Sequence, residues 1–365
     1  MKTAKVKRGI RYFAFSLGVI LIIVLIYTLI PTVRDPSPDF QTELTYGEPL
    51  PAPVADLLTP KEKPARTRAL LVLENEKIVY EYGPTDKIMN IASIRKAIMS
   101  VLYGIAVHKG QVDLNKSLAT LGIDELTPLT QQEKTATIRD LLMGKSGIYL
   151  PAQGEHDNQI TQRPKRESHL PGTYFFANNF DANALGTIFI QETGMSIGKF
   201  MEGYLAKPLG IQDFSEDNVV MGGPWFWPKK KSMHQQYYLY MSTRDLGRIG
   251  AMIANDGRWG KQQILPESWV KESTRSYSNL KESPIPYGRY DGFGYQWWLS
   301  SDSNSIWADG YGGRFLIISP DKKLSMVEQN FTGNSLLSTG LWLKNRNQDT
   351  GLGNLIEAHK VLIRN

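Results

Sequence analysis

A chain of 365 residues without a single cysteine has no disulfide, no thiol nucleophile and no lipid-modified amino-terminal cysteine. Its net charge of +6 is unevenly placed: residues 1–34 hold six basic and no acidic side chains, and the remainder balances at 36 of each sign. The bulk of the protein therefore gives no electrostatic argument for a nucleic-acid partner.

Lys2, Lys5, Lys7, Arg8 and Arg11 make residues 1–11 a basic tail. From Tyr12 to Ile30 the chain is uncharged and largely apolar, long enough to cross the ~30 Å core of a bilayer as one helix. That stretch exceeds a typical signal-peptide core and lacks a small-x-small cleavage site before Pro31, so a retained anchor is expected. Basic residues on its amino-terminal side place that end in the cytoplasm. The expected protein is thus single-pass in the cytoplasmic membrane, with its main domain on the periplasmic or extracellular side. Residues 31–64 are rich in proline and polar side chains and are expected to be a tether. Residues 65–365 suit one large domain.

Within that domain, the run from Leu70 to Glu81 reads as two short strands around the polar turn Glu74-Asn75-Glu76-Lys77. Ile94, Ile98, Leu102 and Ile105 then recur at helical spacing through Ala106, with Gly110 as a stop signal. Ser93 and Lys96 open this helix three positions apart, so they share a face and the amine can reach the hydroxyl. Serine is a poor nucleophile at neutral pH unless a neighbour takes its proton, and a partly desolvated lysine can do so. Placing Ser93 in the first turn also sets it among unpaired N–H groups, which favour developing negative charge.

Further landmarks follow in order. Thr137-Ile138-Arg139-Asp140-Leu141-Leu142 leads into Ser146-Gly147-Ile148, and Pro171-Gly172-Thr173 runs through Asn178-Asn179-Phe180-Asp181 to Leu185-Gly186. Ser242 to Gly250, Gly257-Arg258-Trp259 and Gly294-Tyr295-Gln296-Trp297-Trp298 come next. Gly310-Tyr311-Gly312-Gly313-Arg314 precedes an apolar run and Pro320-Asp321. From about residue 45 to 340 this ordered set resembles the serine β-lactamase and penicillin-binding-protein superfamily. Within it, the chain looks like the class C-like serine hydrolases that include esterases and 6-aminohexanoate-dimer hydrolase.

The resemblance implies an α/β (α+β) β-lactamase-like fold. Strands at about 68–83 and 294–332 would join one antiparallel sheet flanked by the Ser93 helix and a carboxy-terminal helix. A mostly helical lobe, about 111–285, would face it across a cleft. It also implies cleavage of an ester, amide or peptide-like bond in a small-molecule or peptide-like substrate, through an acyl-enzyme on Ser93 and without cofactor or metal. Lys96 would accept and relay the proton, and Asn179 would orient Lys96 and the substrate. The N–H groups of Ser93 and Arg314 would form the oxyanion hole, and Gly312 and Gly313 would let an edge-strand backbone approach the substrate. Oligomeric state is not legible.

One position departs from the family. Its second motif is Tyr-x-Asn, and here Ala177 stands where the tyrosine, a candidate proton carrier, would be. Three substitutes are open: Lys96 acting alone, Tyr311, or Tyr174 from three residues upstream. The alternative is a catalytically impaired relative that serves as a binding or envelope-scaffold protein.

Other motifs are weaker. Gly194-Met195-Ser196-Ile197-Gly198 fits a nucleophile elbow, but that turn needs an incoming strand and residues 183–192 read as helix, so Ser196 is expected to be a helix cap. Lys145-Ser146-Gly147 mimics the third family motif from mid-chain and reads as a helix end. His108, His156, His169, His234 and His359 lack metal-ligand spacing, although His156 and His169 flank the segment before Pro171 and are candidates to line the cleft. Trp225 to Lys231, aromatic then basic, is expected to be a packed turn with a solvated charge run, with a cleft lid or membrane contact as the alternatives.

Overall fold

Asn75 and Glu76 both adopt the left-handed backbone (φ 49° and 67°), the geometry of a tight two-residue hairpin turn. They join β1 (Arg68–Glu74) to β2 (Lys77–Tyr82). In this computed structural model the described residues are 12, 15–25, 33–34, 42–60, 68–222, 231–283, 285–331 and 352–364. Further strands are β3 (Ile88–Asn90), β4 (Val219–Met221), β5 (Tyr237–Met241), β6 (Ser278–Asn279), β7 (Gly292–Phe293), β8 (Trp298–Ser300), β9 (Ser305–Gly310), β10 (Arg314–Ser319) and β11 (Leu324–Asn330). The main sheet has the order β2-β1-β11-β10-β9-β8-β7-β6 and is antiparallel throughout. The first strands of the domain therefore pair with the last. A small second sheet runs Val33–Arg34, β3, β5, β4.

Both faces of the main sheet are covered, which explains why its central strands are apolar at consecutive positions. Leu70, Val72, Ile317 and Met326 point to one side, against Val54 and Leu58 of α1 (Ala52–Leu58) and Leu355 and Ala358 of the carboxy-terminal helix Leu352–Arg364. Buried His359 on that helix meets Ser319 Oγ at 2.7 Å, and burial pushes its pKa down to about 4. On the opposite side, Leu316, Ile318 and Val327 pack with Ile94, Ile98, Leu246 and Ile249 of α2 (Ile94–His108) and of the helix Thr243–Ala254. The α/β β-lactamase-like arrangement, an antiparallel sheet with helices against it, is thus present. Between residues 111 and 285 lie mostly helices and loops, among them α3 (Ile138–Leu142) and α4 (Asn179–Thr193), but this stretch also supplies β4, β5, β6 and the sheet-covering helix Thr243–Ala254.

Two expectations change. The tether is shorter than 31–64, because the Gly47 and Leu50 N–H groups bond to the Ile78 and Val79 carbonyls at 2.9 and 3.0 Å and α1 buries Val54 and Leu58. Pro51 and Pro53, which resembled linker, start α1, where their missing N–H groups cost nothing. The third motif is not on an edge strand: it turns β9 into β10 in the interior of the sheet, since β6, β7 and β8 extend the sheet beyond it. Residues 15–25 are helical and expose Leu17, Ile20, Leu21 and Ile22, but among the described residues no helix is long and apolar enough to cross a membrane. Trp225 to Lys230 lie outside the described residues.

Candidate active site

The turn before α2 is built under strain. Ala92 holds φ at 52°, a region costly for a residue with a Cβ, and its N–H donates to Asn90 Oδ1 at 2.8 Å. Ser93 follows as the residue flanking α2, with helical dihedrals (φ −71°, ψ −11°), and so stands just before the first turn rather than within it. Its side chain makes no capping hydrogen bond. One helical turn on, Lys96 Nζ donates to Asn179 Oδ1 at 2.7 Å. Desolvation, with a smaller push from the neighbouring Arg95, brings the Lys96 pKa down to about 7, against the pull of Asp181. An amine in that state holds or releases a proton readily at neutral pH.

Asn179 is the first residue of α4, capped by Asn178, whose Oδ1 accepts the Asp181 N–H at 2.8 Å. The Asn179 amide nitrogen donates to the Gln153 carbonyl at 3.3 Å and to that of Gly154, which leaves its oxygen for Lys96. Asp181 lies one position short of a full turn beyond the cap and is buried, and neither carboxyl oxygen makes a hydrogen bond. Desolvation raises its pKa to about 7; nearby Ser146, Asn178 and the charge of Lys96 oppose the rise. Sequence reasoning passed over Asp181 because an acid in a helix's first turn is ordinary; its only signal was the spacing Asn178-x-x-Asp181.

Across from Ser93 comes the end of β9. A Cβ at Gly310 would stand 2.6 Å from the Ile91 carbonyl oxygen and 3.4 Å from the Ala92 Cβ, so only glycine lets this strand close on the nucleophile turn. Gly312 and Gly313 then carry φ of 91° and 75°. The turn is held from below: Asn330 Nδ2 donates to the Gly313 carbonyl at 2.7 Å and to Glu328 Oε1 at 3.0 Å, and Glu328 receives both Nε and Nη2 of Arg68 at 2.9 Å. Arg314 is buried, with Nη1 donating to the Tyr311 carbonyl at 2.7 Å.

These elements enclose a cleft of about 830 Å³ lined by Ser93, Lys96, Ala177, Asp181 and Tyr311, among others. One wall is aromatic, an assembly the sequence did not announce because loops and short strands contribute it. Trp298 stacks on Tyr290 at 5.1 Å between ring centres and meets Phe293 at 4.8 Å and Tyr287 at 5.5 Å. Half-buried Ala177 packs against this cluster.

Ser93, Lys96, Asn179 and Tyr311 are therefore brought together. Gly312, Gly313 and Arg314 border the cleft at the turn without being among its lining residues. Tyr311 is 40% exposed and stacks on His156 at 5.1 Å, and both line the cleft. Tyr174 and His169 do not: their rings stack on each other at 4.0 Å, and His169 Nδ1 lies 3.2 Å from Tyr149 Oη. Ser196 is exposed and caps the helix Ile197–Met201, accepting the Lys199 N–H at 3.2 Å. Lys145 follows the end of α3 and donates to the Tyr277 carbonyl at 2.6 Å.

The Beta-lactamase family model matches residues 59–328. Among solved structures, a family VIII carboxylesterase superposes with a TM-score of 0.62 at 16% identity, covering 87% of this chain and 99% of its own. A Bacillus anthracis protein assigned as a 6-aminohexanoate-dimer hydrolase gives 0.60 at 17% identity over 89% and 91%. A penicillin-binding protein homologue from Caulobacter crescentus gives 0.57 at 14% identity over 86% and 100%. At such identities the likeness speaks for the fold alone. No curated protein matches the chain. A family match over most of the chain, on a fold that gathers Ser93, Lys96 and Asn179 about one cleft, makes this protein a member of the beta-lactamase family, with the hydrolase chemistry general to that family.

Proposed function

We propose that this protein hydrolyses an ester, amide or peptide-like bond of a small-molecule or peptide-like substrate through an acyl-enzyme on Ser93. The observation that carries this reading is the Lys96 amine, held 2.7 Å from Asn179 Oδ1 in the cleft that Ser93 lines and brought by burial to a pKa of about 7. Ser93 Oγ attacks the carbonyl carbon while Lys96 takes its proton. The backbone N–H groups of Ser93 and Arg314 receive the charge on the carbonyl oxygen. Lys96 then passes the proton to the leaving group, and water releases the acyl group. A fluorophosphonate probe should label the wild-type chain and not Ser93→Ala; an unlabelled wild type would instead favour the binding or scaffold reading that Ala177 raises.

The replaced tyrosine gives a second test. Ala177→Tyr should raise the rate of acylation if the site lacks a proton carrier, with the ~10²–10⁴-fold worth of a general base as the ceiling. The new ring must fit beside the aromatic cluster that Ala177 packs against, so a gain well short of that ceiling is expected. Single-turnover acylation measures it; no gain, together with a loss in Tyr311→Phe, would assign the phenol to Tyr311.

We also propose that residues 12–30 anchor the protein in the cytoplasmic membrane with the catalytic domain outside the cytoplasm. Support comes from the described part, residues 15–25, an uncharged helix whose large apolar side chains are exposed. At 1.5 Å per residue this part is about 16 Å long, roughly half a bilayer core, and the remaining span rests on sequence. The full-length protein should stay with membranes through a carbonate wash, and release of a soluble form beginning near residue 31 would mean a cleaved signal.

A further inference from the structure

The chemistry just proposed leaves one buried acid in the cleft without a task. Asp181 shares a face of α4 with the cap Asn178, three positions away, and both line the cleft together with Ser93 and Lys96. It is 1% exposed, and neither oxygen makes a well-formed hydrogen bond, although Ser146 and Asn178 stand beside it. A buried carboxyl group so weakly held costs stability, and such groups persist where an arrangement uses them. Lys96, which lines the same cleft and donates to the neutral Asn179 amide oxygen, is the cation whose charge acts on it.

We propose that Asp181 is the positioning residue of Lys96, facing the amine from the first turn of α4 and balancing the ammonium formed when Ser93 gives up its proton. It thereby takes over the supporting part that the family gives to the tyrosine replaced here by Ala177. The inference rests on Ser93 and Lys96 being nucleophile and base. In the step itself the Ser93 O–H bond breaks as the Oγ–C bond forms, and the proton moves to Lys96 Nζ. It then moves to the leaving atom as that atom's bond to the carbonyl carbon breaks, and the step uses Asp181 in its carboxylate form. Tyr311 stacks on His156 at the cleft, and Tyr174 stacks on His169 away from its lining.

The charged and titratable groups around the pair set the sign of its pH response. Arg95 of α2, held by Asn183 Oδ1 at 3.2 Å and by the Tyr237 ring at 4.3 Å, pushes Lys96 toward the free amine. Asp181 pulls it toward the ammonium. Tyr149, the other titratable neighbour of Asp181, stays a neutral phenol because burial and that carboxylate raise its pKa. Burial thus brings both Lys96 and Asp181 to about 7, and the charge of each favours the charged form of the other.

The test is the pH profile of kcat/KM for a p-nitrophenyl ester, from about pH 5 to 9, with full-length wild type and Asp181→Asn. Removing the carboxylate lowers the Lys96 pKa, so the acid limb should move about one unit or more to lower pH. The plateau should drop at least about tenfold, because the ammonium now forms uncompensated. Asp181→Glu, which keeps the charge, should return the limb toward the wild-type position, and Asp181→Ser repeats the comparison if the amide variant does not fold. An acid limb that stays in place in a folded, uncharged variant overturns the proposal, whatever the plateau does. Ser93→Ala runs alongside: turnover surviving there would remove the proposed function itself, whereas Ser93-dependent turnover with an unmoved limb removes only the role of Asp181.

Discussion

Ser93→Ala should lose ester hydrolysis by roughly 10⁴–10⁶-fold, the range seen when a serine nucleophile is deleted, while its melting temperature stays within a few degrees of wild type. The two halves of that expectation come from different features of the same residue. Activity falls because the variant lacks the hydroxyl that opens α2 one helical turn before the Lys96 amine, which burial prepares to take its proton. Stability holds because the Ser93 side chain makes no capping hydrogen bond to α2, so its loss removes no structural contact of that kind. In wild type the rate should climb with pH through about 7 as Lys96 releases its proton, far below the 10.5 of an ordinary lysine. Steady-state turnover and a thermal melt on one preparation decide it. Full turnover by the variant would place the nucleophile elsewhere and bring Ser196 forward.

Glu328→Ala should be strongly destabilising, by about 3–5 kcal/mol, the usual result of removing one member of a buried ion pair. Glu328 is 0% exposed and receives two hydrogen bonds from Arg68, so its removal takes the bidentate carboxylate away from a buried guanidinium. At ~2–4 °C per kcal/mol for a domain of this size, the melting temperature should fall by roughly 6–20 °C. Replacing both partners by apolar residues, Arg68→Met with Glu328→Leu, should recover much of the loss, since no charge is then left in the interior. Because Glu328 also holds Asn330, and Asn330 holds the Gly313 carbonyl, turnover by the single variant should fall more than its folded fraction does. A drop below about 1 kcal/mol would mean that water reaches the pair and screens it.

What the sequence disclosed, it disclosed through local periodicity. Ser93 and Lys96 stand three apart on one helix, and the apolar spacing from Ile94 onward marks that helix whatever it packs against. Thr137 and Asp140 signal a helix start by themselves, and the structure shows their reciprocal capping bonds. The hidden parts depend on chain segments far apart. Asp181 acts on Lys96 from 85 residues away, and Glu328 meets Arg68 from 260. Pro51 and Pro53 carry the composition of a linker, and only their position at the start of α1 separates the two meanings. The aromatic wall escaped for a similar reason, since Tyr287, Tyr290, Phe293 and Trp298 meet across loops and two very short strands.

The pairing of β1 with β11 has a consequence in time as well as in space. Ser93 emerges early in synthesis, but the turn that borders it is anchored by Glu328 and Asn330, near the far end of the domain. Such distant contacts pay their loop-closure entropy before they return any stability, so they form late in folding. A nascent chain, or one cut short before residue 324, carries the serine and the lysine on their helix but not the anchor of the turn opposite. The assembled cleft thus waits for the end of the domain, and a chain still being synthesised has no complete site with which to attack its surroundings.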